Sequence, residues 1–388
     1  MFEIVNEQAA GPVIRVIGVG GAGGNAVDHM IEQGVEGVDF FAVNTDAQVL
    51  SRSKARNQIQ LGTSGLGAGA RPEEARAVAN NERARLEEAI AGSHMVFITA
   101  GMGGGTGTGA GPVLAEVARS LGILTVAVVT KPFTWEGSKR MKIAEAGIEE
   151  MAPHVDSLIV ILNDKLEEVL GDDVTQEDAF EAADDVLNNA VAGIAEIINQ
   201  PGLVNVDFQD VRTVMAEQGM AMMGSASASG IDRARIAAEQ AVASPLLEGV
   251  NLSGARGVLV NITANRASLK MRETRERMNT IRGFAADDAT VILGAVYDDA
   301  MSDELRVTVV ATGLGQPVAA RNPKPLQVVA QKTGTDNLPV LTDVDPSYAG
   351  DLSGVIKSRR NRASTIEALQ NSGMDKLDIP AFLRKQAD

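Results

Sequence analysis

After a short polar arm the chain opens on VIRVIGVG, a β-branched run ending in glycine that predicts a buried strand. The pattern then alternates. GGAGGNAVDHMIEQG reads as a tight turn and a helix, VDFFAVNTD as a second strand and QIQLG as a short third strand. RPEEARAVANNERARLEEAIAG predicts one long charged helix, and HMVFITAG a strand that runs straight into a glycine-rich loop. PVLAEVARSLG follows as a helix with Pro112 in its first turn, where a missing N–H costs nothing. ILTVAVVT and SLIVIL are two further strands. Continuous apolar strands that alternate with helices predict a parallel sheet covered on both faces.

The stretch from Thr175 to Gly202 predicts a long helix, with Thr175 and Asp178 resembling a capping box and Pro201-Gly202 stopping it. Its apolar positions recur around most of the circumference, so it reads as a central, buried helix. Beyond it, helices around Asp207–Gln218 and Asp232–Val242 and the strands GVLVNIT, ATVILGAVYD and ELRVTVVATG predict a smaller α+β domain. From Gln316 scattered Pro and Gly without a sustained period predict a flexible tether, ending in the apolar and basic peptide LDIPAFLRKQAD. The expected fold class is therefore α/β. An arm (1–12) precedes a parallel-sheet domain (13–174), a central helix (175–200), a second domain (201–315), a linker (316–375) and a docking peptide (376–388).

Composition narrows the function. Of 388 residues 45% are hydrophobic but only 3% aromatic, so aliphatic side chains and methionine must fill the core. A net charge of −16 opposes binding to nucleic-acid backbones. No cysteine is present, and His29, His94 and His154 form no ligand-spaced cluster, so no protein metal site is expected. The chain shows no apolar run of membrane-spanning length and no signal pattern at its start, which predicts a cytoplasmic protein without direct membrane insertion.

Two glycine loops lie between a strand and a helix. The first holds Gly18-x-Gly20-x-x-Gly23, the spacing of a dinucleotide fingerprint, and alone fits a nicotinamide dehydrogenase equally well. The second, Gly103, Gly104, Gly105, Thr106, Gly107, Thr108 and Gly109, is more specific. Its backbone N–H groups can turn together toward an anion, and the following helix adds its positive end. A glycine turn for tight helix–strand packing is the alternative, and one glycine would suffice for that. Neither loop carries a P-loop lysine. Phosphate charge would be met by backbone dipoles, the Thr106 and Thr108 hydroxyls and a divalent cation. Asn163 directly follows a predicted strand, at the end where parallel sheets bind ligands. Phe180 and Asp184 share a stripe of the central helix. A carboxylate there can accept from guanine N1–H and N2–H together, a donor pair adenine lacks.

The motifs GGGTGTG, VIGVGGAGGNAV, FFAVNTDAQ, GLGAGARPE, AVVTKPFTWEG and NVDFQDVRTVM are co-linear from about Val13 to Gly315, and the likeness resumes at the terminal peptide. They resemble the FtsZ family of bacterial tubulin-like cell-division GTPases, in the tubulin superfamily. The resemblance implies GTP or GDP as ligand, with Mg2+ accompanying the nucleotide. It places Gly21, Ala22, Gly23, Gly24 and Asn25 along phosphates and base, Gly103 to Gly109 around the phosphates, and Asn44 and Asp46 near phosphates and metal. Glu136 and Arg140, otherwise readable as a solvated pair four residues apart, become ribose contacts; Asn163, Phe180 and Asp184 face the base side.

For hydrolysis it implies Asn205, Asp207 and Asp210. Their spacing alone fits helix capping equally well. In the family these residues lie on the opposite end from the nucleotide and reach the γ-phosphate of the next subunit, giving a head-to-tail homopolymer with an active site split between chains. Ile379, Pro380, Phe382, Leu383, Arg384 and Lys385 would bind membrane-anchoring division proteins at mid-cell. The loop LGTSGLGAGARPE departs from the family form: it is shorter and lacks a lysine before its second glycine. Trp135 stands where another aromatic is expected. A dehydrogenase leaves the second loop and the Asp207/Asp210 helix unexplained, and a non-hydrolysing scaffold would show no turnover that rises with protein concentration.

Overall fold

The computed structural model describes residues 11–171, 173–199, 206–217, 219–244, 255–266, 268, 289–299 and 301–314, all within the unit Met1–Ala319. The chain runs β1 (Ile14–Val19), α1 (Gly20–Glu32), β2 (Asp39–Asn44), α2 (Ala47–Leu50), β3 (Asn57–Gln60), α3 (Pro72–Asn81), α4 (Arg83–Ile90), β4 (Met95–Gly101) and α5 (Thr106–Ser120). There follow β5 (Leu124–Lys131), α6 (Ser138–Met151), β6 (Ser157–Leu162), α7 (Asn163–Leu170) and the long α8 (Gln176–Asn199). The second half contributes α9 (Phe208–Met215), β7 (Gly219–Ser229), α10 (Arg233–Val242), β8 (Gly257–Ala264), β9 (Thr290–Tyr297) and β10 (Glu304–Leu314).

The strands form one sheet in the order β3-β2-β1-β4-β5-β6-β7-β10-β8-β9. From β3 to β7 every neighbour is parallel; β10 is antiparallel to β7 and β8. Alternation of side chains along each strand sorts the apolar residues into two cores. Val16, Phe97, Val126 and Ile159 face α1 and α8, while Ile17, Ile98, Ala127 and Leu158 share a core with residues of α3, α4, α5 and α6. Phe97 is fully buried, and its removal to alanine would cost about 3–5 kcal/mol. A third core lies between the β7–β10–β8 surface and α10.

Four expectations need correction. β7 was not expected, yet it joins the halves, pairing Ser157↔Gly219 to Ile159↔Ala221 with β6 and running along β10. The charged stretch 71–92 is two helices, broken at Glu82 after Asn80-Asn81, residues with poor helix propensity. Pro112 lies inside α5, which starts six residues earlier at Thr106. α8 is buried all round only from Ala190 to Ala195; its N-terminal half buries a single stripe, Ala179, Ala183 and Leu187. Its start is capped as expected: the Thr175 hydroxyl accepts the Asp178 N–H at 3.1 Å. Among the described residues no helix is long and apolar enough to cross a membrane.

Candidate functional site

A cleft of about 300 Å³ opens where β1, β4, β5 and β6 end, floored by Ala22, Gly101 and Thr130 and walled by α8. The N-terminus of α1 opens into it through Gly21 and Ala22, and that of α5, whose stretch 103–109 does not line the cleft, packs against the start of α1, where a Cβ on Gly20 would lie 2.9 Å from the Gly107 nitrogen. Neither α1 nor α5 has a side-chain cap or an acidic residue in its first turn. Their leading N–H groups are therefore not satisfied by a capping side chain.

The glycines divide by what a side chain would meet. A Cβ on Gly18 would lie 2.2 Å from the Gly23 carbonyl oxygen, and one on Gly23 2.4 Å from that of Thr99, so these two let α1 close onto the sheet. Gly105 and Gly109 press equally closely on the Gly69 and Pro72 carbonyls, and Gly107 on that of Gly101. By contrast Gly21, Gly24 and Gly104 face open space. The second loop thus packs tightly at Gly105, Gly107 and Gly109 and leaves open space at Gly104. Thr108 is buried, and its hydroxyl accepts the Gly103 N–H at 2.9 Å, which ties the loop to the start of α5. The Thr106 hydroxyl bonds that of Thr45 at 2.7 Å.

Gly21, Ala22, Asn25, Glu136, Arg140, Asn163, Phe180 and Asp184 all line the cleft. Glu136 and Arg140 pair at 2.7 Å; the Glu136 side chain is only 7% exposed and also accepts the Phe133 N–H, while that of Arg140 is 51% exposed, so the pair is solvated on the arginine side alone. Gly137, with φ 105°, separates Glu136 from the start of α6. Asn163 is buried, and its Oδ1 has no hydrogen-bond partner among the described residues. Phe180 stands edge-on to Phe133 and Trp135, which stack at 5.2 Å. Burial pushes the Asp184 carboxyl up to about 6; His29 pulls it down, and Asp185 and Glu181 push it further up. Asn44 and Gly24 line a neighbouring hollow of about 190 Å³ across α1, bordered also by Asn25. Asn44 accepts the Asp46 N–H, and Asp46 spends its carboxylate capping α2 through Gln48 and Val49.

Asp207 and Asp210 lie elsewhere. The α9 helix that carries them sits at the opposite ends of the strands: the hydroxyl of Ser157, first residue of β6, donates to the Met215 carbonyl, and Phe208 meets His94 just before β4. At about 3.3 Å per residue, the seven residues of β4 separate the two ends by roughly 20 Å. Asp207 does cap α9, accepting the Asp210 N–H at 2.8 Å. Asp210 lies in the first turn of α9 and makes no capping bond among the described residues. Asn205 and the terminal residues Ile379, Pro380, Phe382, Leu383, Arg384 and Lys385 lie outside the described residues.

Comparison with known proteins decides the family. The model for the GTPase domain of the Tubulin/FtsZ family matches residues 13–171, and that for the C-terminal domain of the FtsZ family matches 219–315. Over the whole of both chains, this one is 53% identical to the cell division protein FtsZ of Pseudomonas putida and 52% identical to that of Wigglesworthia glossinidia brevipalpis. The chain belongs to the FtsZ family. An empty FtsZ dimer from M. jannaschii has the same fold at TM-score 0.75 and 43% identity, covering 79% of this chain and 89% of that one. CetZ2 from Haloferax volcanii, at 21% identity and TM-score 0.64, shares the fold over 79% of this chain and 94% of its own.

As an FtsZ-family member the chain is a GTPase that binds GTP and GDP. The cleft also uses residues that sequence reasoning passed over. Asp164 accepts the N–H and hydroxyl of Thr134 at 2.7 and 2.6 Å, tying the turn that carries Phe133, Trp135 and Glu136 to the start of α7. An acidic residue beside Asn163 at a strand end was the available signal. The loop 62–69 is held by backbone bonds from Ala47 to Gly65 and from Gly67 to Thr45, with left-handed glycines at 62, 65, 67 and 69. Among the described residues no three His, Asp or Glu side chains come together to hold a metal ion.

Proposed function

We propose that GTP lies with its phosphates on the uncapped N-termini of α1 and α5 and its base against α8, and that Asn205, Asp207 and Asp210 of the next subunit complete hydrolysis. In this reading Gly21, Gly24 and Gly104 offer bare backbone to the phosphates, while Glu136 and Arg140 meet the ribose. Phe180 stacks on the base, Asp184 accepts guanine N1–H and N2–H, and Asn163, at the end of β6, contacts base or ribose. Mg2+ would enter with the nucleotide, held by phosphate oxygens near the Thr45 and Thr106 hydroxyls, and it would neutralise charge on the phosphates. The neighbour's carboxylates orient the water that attacks the γ-phosphorus in line.

One observation carries the shared site: the α9 carboxylates and the cleft stand at opposite poles of one sheet. A carboxylate roughly 20 Å away cannot serve its own cleft, but a head-to-tail neighbour brings the two poles together. Such a contact does not close on itself and makes filaments; the dimeric FtsZ relative supports self-association. Filaments at a mid-cell division ring, tied to membrane-anchoring proteins through Ile379, Pro380, Phe382, Leu383, Arg384 and Lys385, complete the reading. The test is turnover per subunit against protein concentration. It should be near zero when dilute and climb past a threshold; a constant rate down to high dilution would overturn the shared site.

A further inference from the structure

The two ends of α9 are held by different means. At its C-terminal end the Ser157 hydroxyl donates to the Met215 carbonyl and the Thr312 hydroxyl to that of Val214, both at 2.7 Å. Val211, Val214 and Met215 are buried beside them. The N-terminal end carries Asp207 and Asp210, both exposed. It rests on Val206, buried, and Phe208, half-buried, on either side of Asp207. The Phe208 ring meets that of His94 with centroids 6.0 Å apart at 74°, the edge-on geometry that aromatic pairs favour.

His94 is itself fixed from the sheet. It directly precedes β4; its backbone N–H donates to the Val13 carbonyl at 2.9 Å and its carbonyl accepts the Leu124 N–H at 3.3 Å. The Val13 N–H donates in turn to the imidazole Nδ1 at 2.9 Å. That nitrogen therefore carries no proton, and the bond sets the orientation of the ring. An exposed side chain is thus given a fixed plane, and what that plane meets is Phe208. Helix ends fray, and a shift of about 1 Å in a group that serves a reaction costs about a hundredfold in rate.

We infer that His94 is a positioning residue for hydrolysis: through Phe208 it holds the first turn of α9 in the place from which Asp207 and Asp210 serve the neighbouring subunit. This rests on the α9 carboxylates completing the next molecule's cleft. The action is indirect, ring against ring, with the ends of β1 and β5 behind it.

The test uses the full chain at saturating GTP and above its assembly threshold. His94→Ala should lower kcat about ten- to a hundredfold and leave GTP affinity, the threshold and the melting temperature unchanged. His94→Phe keeps a ring against Phe208 and should recover part of the rate, whereas His94→Asn keeps an acceptor for Val13 without the ring and should not. Phe208→Leu should be as slow as His94→Ala, and the double variant no slower than the slower single, because both changes remove one contact. In mixtures, Gly104→Trp fills the open side of the glycine loop but keeps α9, so it should rescue His94→Ala; Asp210→Ala should not. A full kcat in His94→Ala, a loss seen only as a raised threshold, a melting temperature that falls in step with the rate, a His94→Phe variant no faster than His94→Asn, losses that multiply in the double variant, or rescue by Asp210→Ala would overturn the inference. Failure of Gly104→Trp to rescue Asp210→Ala would instead overturn the shared-site reading beneath it.

Discussion

Replacing Gly104 and Gly105 by alanine, one at a time, separates the two jobs of the glycine loop. Neither has a positive φ, so alanine strains neither backbone. At Gly105 the new Cβ would lie 2.1 Å from the Gly69 carbonyl oxygen and 3.3 Å from the Ala68 Cβ. Backbone must move by more than an ångström at the root of α5, an overpacking that costs about 1–3 kcal/mol. At about 2–4 °C per kcal/mol for a chain of this class, the melting temperature falls by roughly 2–12 °C. At Gly104 the Cβ meets no protein atom. The folded state is unharmed and the unfolded chain loses freedom, so stability holds or rises by about 0.4–1 kcal/mol. The methyl group enters the space assigned to phosphate oxygens. Loss of one charge-assisted bond, about 1.5–3 kcal/mol, weakens GTP binding roughly 10- to 150-fold. Thermal melting and titration with a fluorescent guanine nucleotide read both effects. Wild-type affinity in a well-folded Gly104→Ala variant would refute the phosphate cradle. A Gly105→Ala variant as stable as wild type would refute the packing argument.

Three further predictions use the same structure. Thr108→Val keeps the shape but strands the Gly103 N–H, so it should cost about 1–3 kcal/mol in denaturant melts, whereas Thr108→Ser keeps the bond and should cost less. The Asp184 carboxyl, raised to about 6 in the empty protein, favours the protonated folded state. Its contribution to stability is therefore fully present below the unfolded carboxylate range and is lost as pH rises through about 6, while guanine affinity should move the opposite way and fall below that pH; Asp184→Asn should abolish both dependences in paired melting and binding titrations. Asp207→Ala removes the α9 cap and should lose about 1 kcal/mol together with turnover, but Asp210→Ala should lose turnover with an unchanged melting temperature.

The parallel half of the sheet was legible because its strands are apolar on both sides and punctuated by glycine. β7 was not, because GMAMMGSASAS has no β-branched or aromatic residue; its strand conformation is imposed by pairing with β6 and β10. Pro112 misplaced the start of α5, since proline is read as a first-turn residue while the true first turn is glycine and threonine with little propensity of their own. The cleft residues Glu136, Arg140, Asn163, Phe180 and Asp184 could be named from motifs and strand ends. Which glycines face solvent and which face a carbonyl could not, because that depends on partners distant in sequence: Gly69 and Pro72 against Gly105 and Gly109. The same holds for Thr108, whose hydroxyl serves the loop five residues back.

The division of one active site between two molecules is tested most directly by mixing two silent variants. Gly104→Trp fills the open side of the loop and should abolish nucleotide binding, while Asp210→Ala leaves the cleft intact and removes a carboxylate at the far pole. Each alone should turn over little GTP. In the mixture, a Gly104→Trp subunit presents intact α9 carboxylates to the loaded cleft of an Asp210→Ala subunit, so GTPase activity should reappear and peak near equal proportions. A mixture as inactive as its components, with both variants folded and the Asp210→Ala protein binding GTP normally, would contradict the shared site.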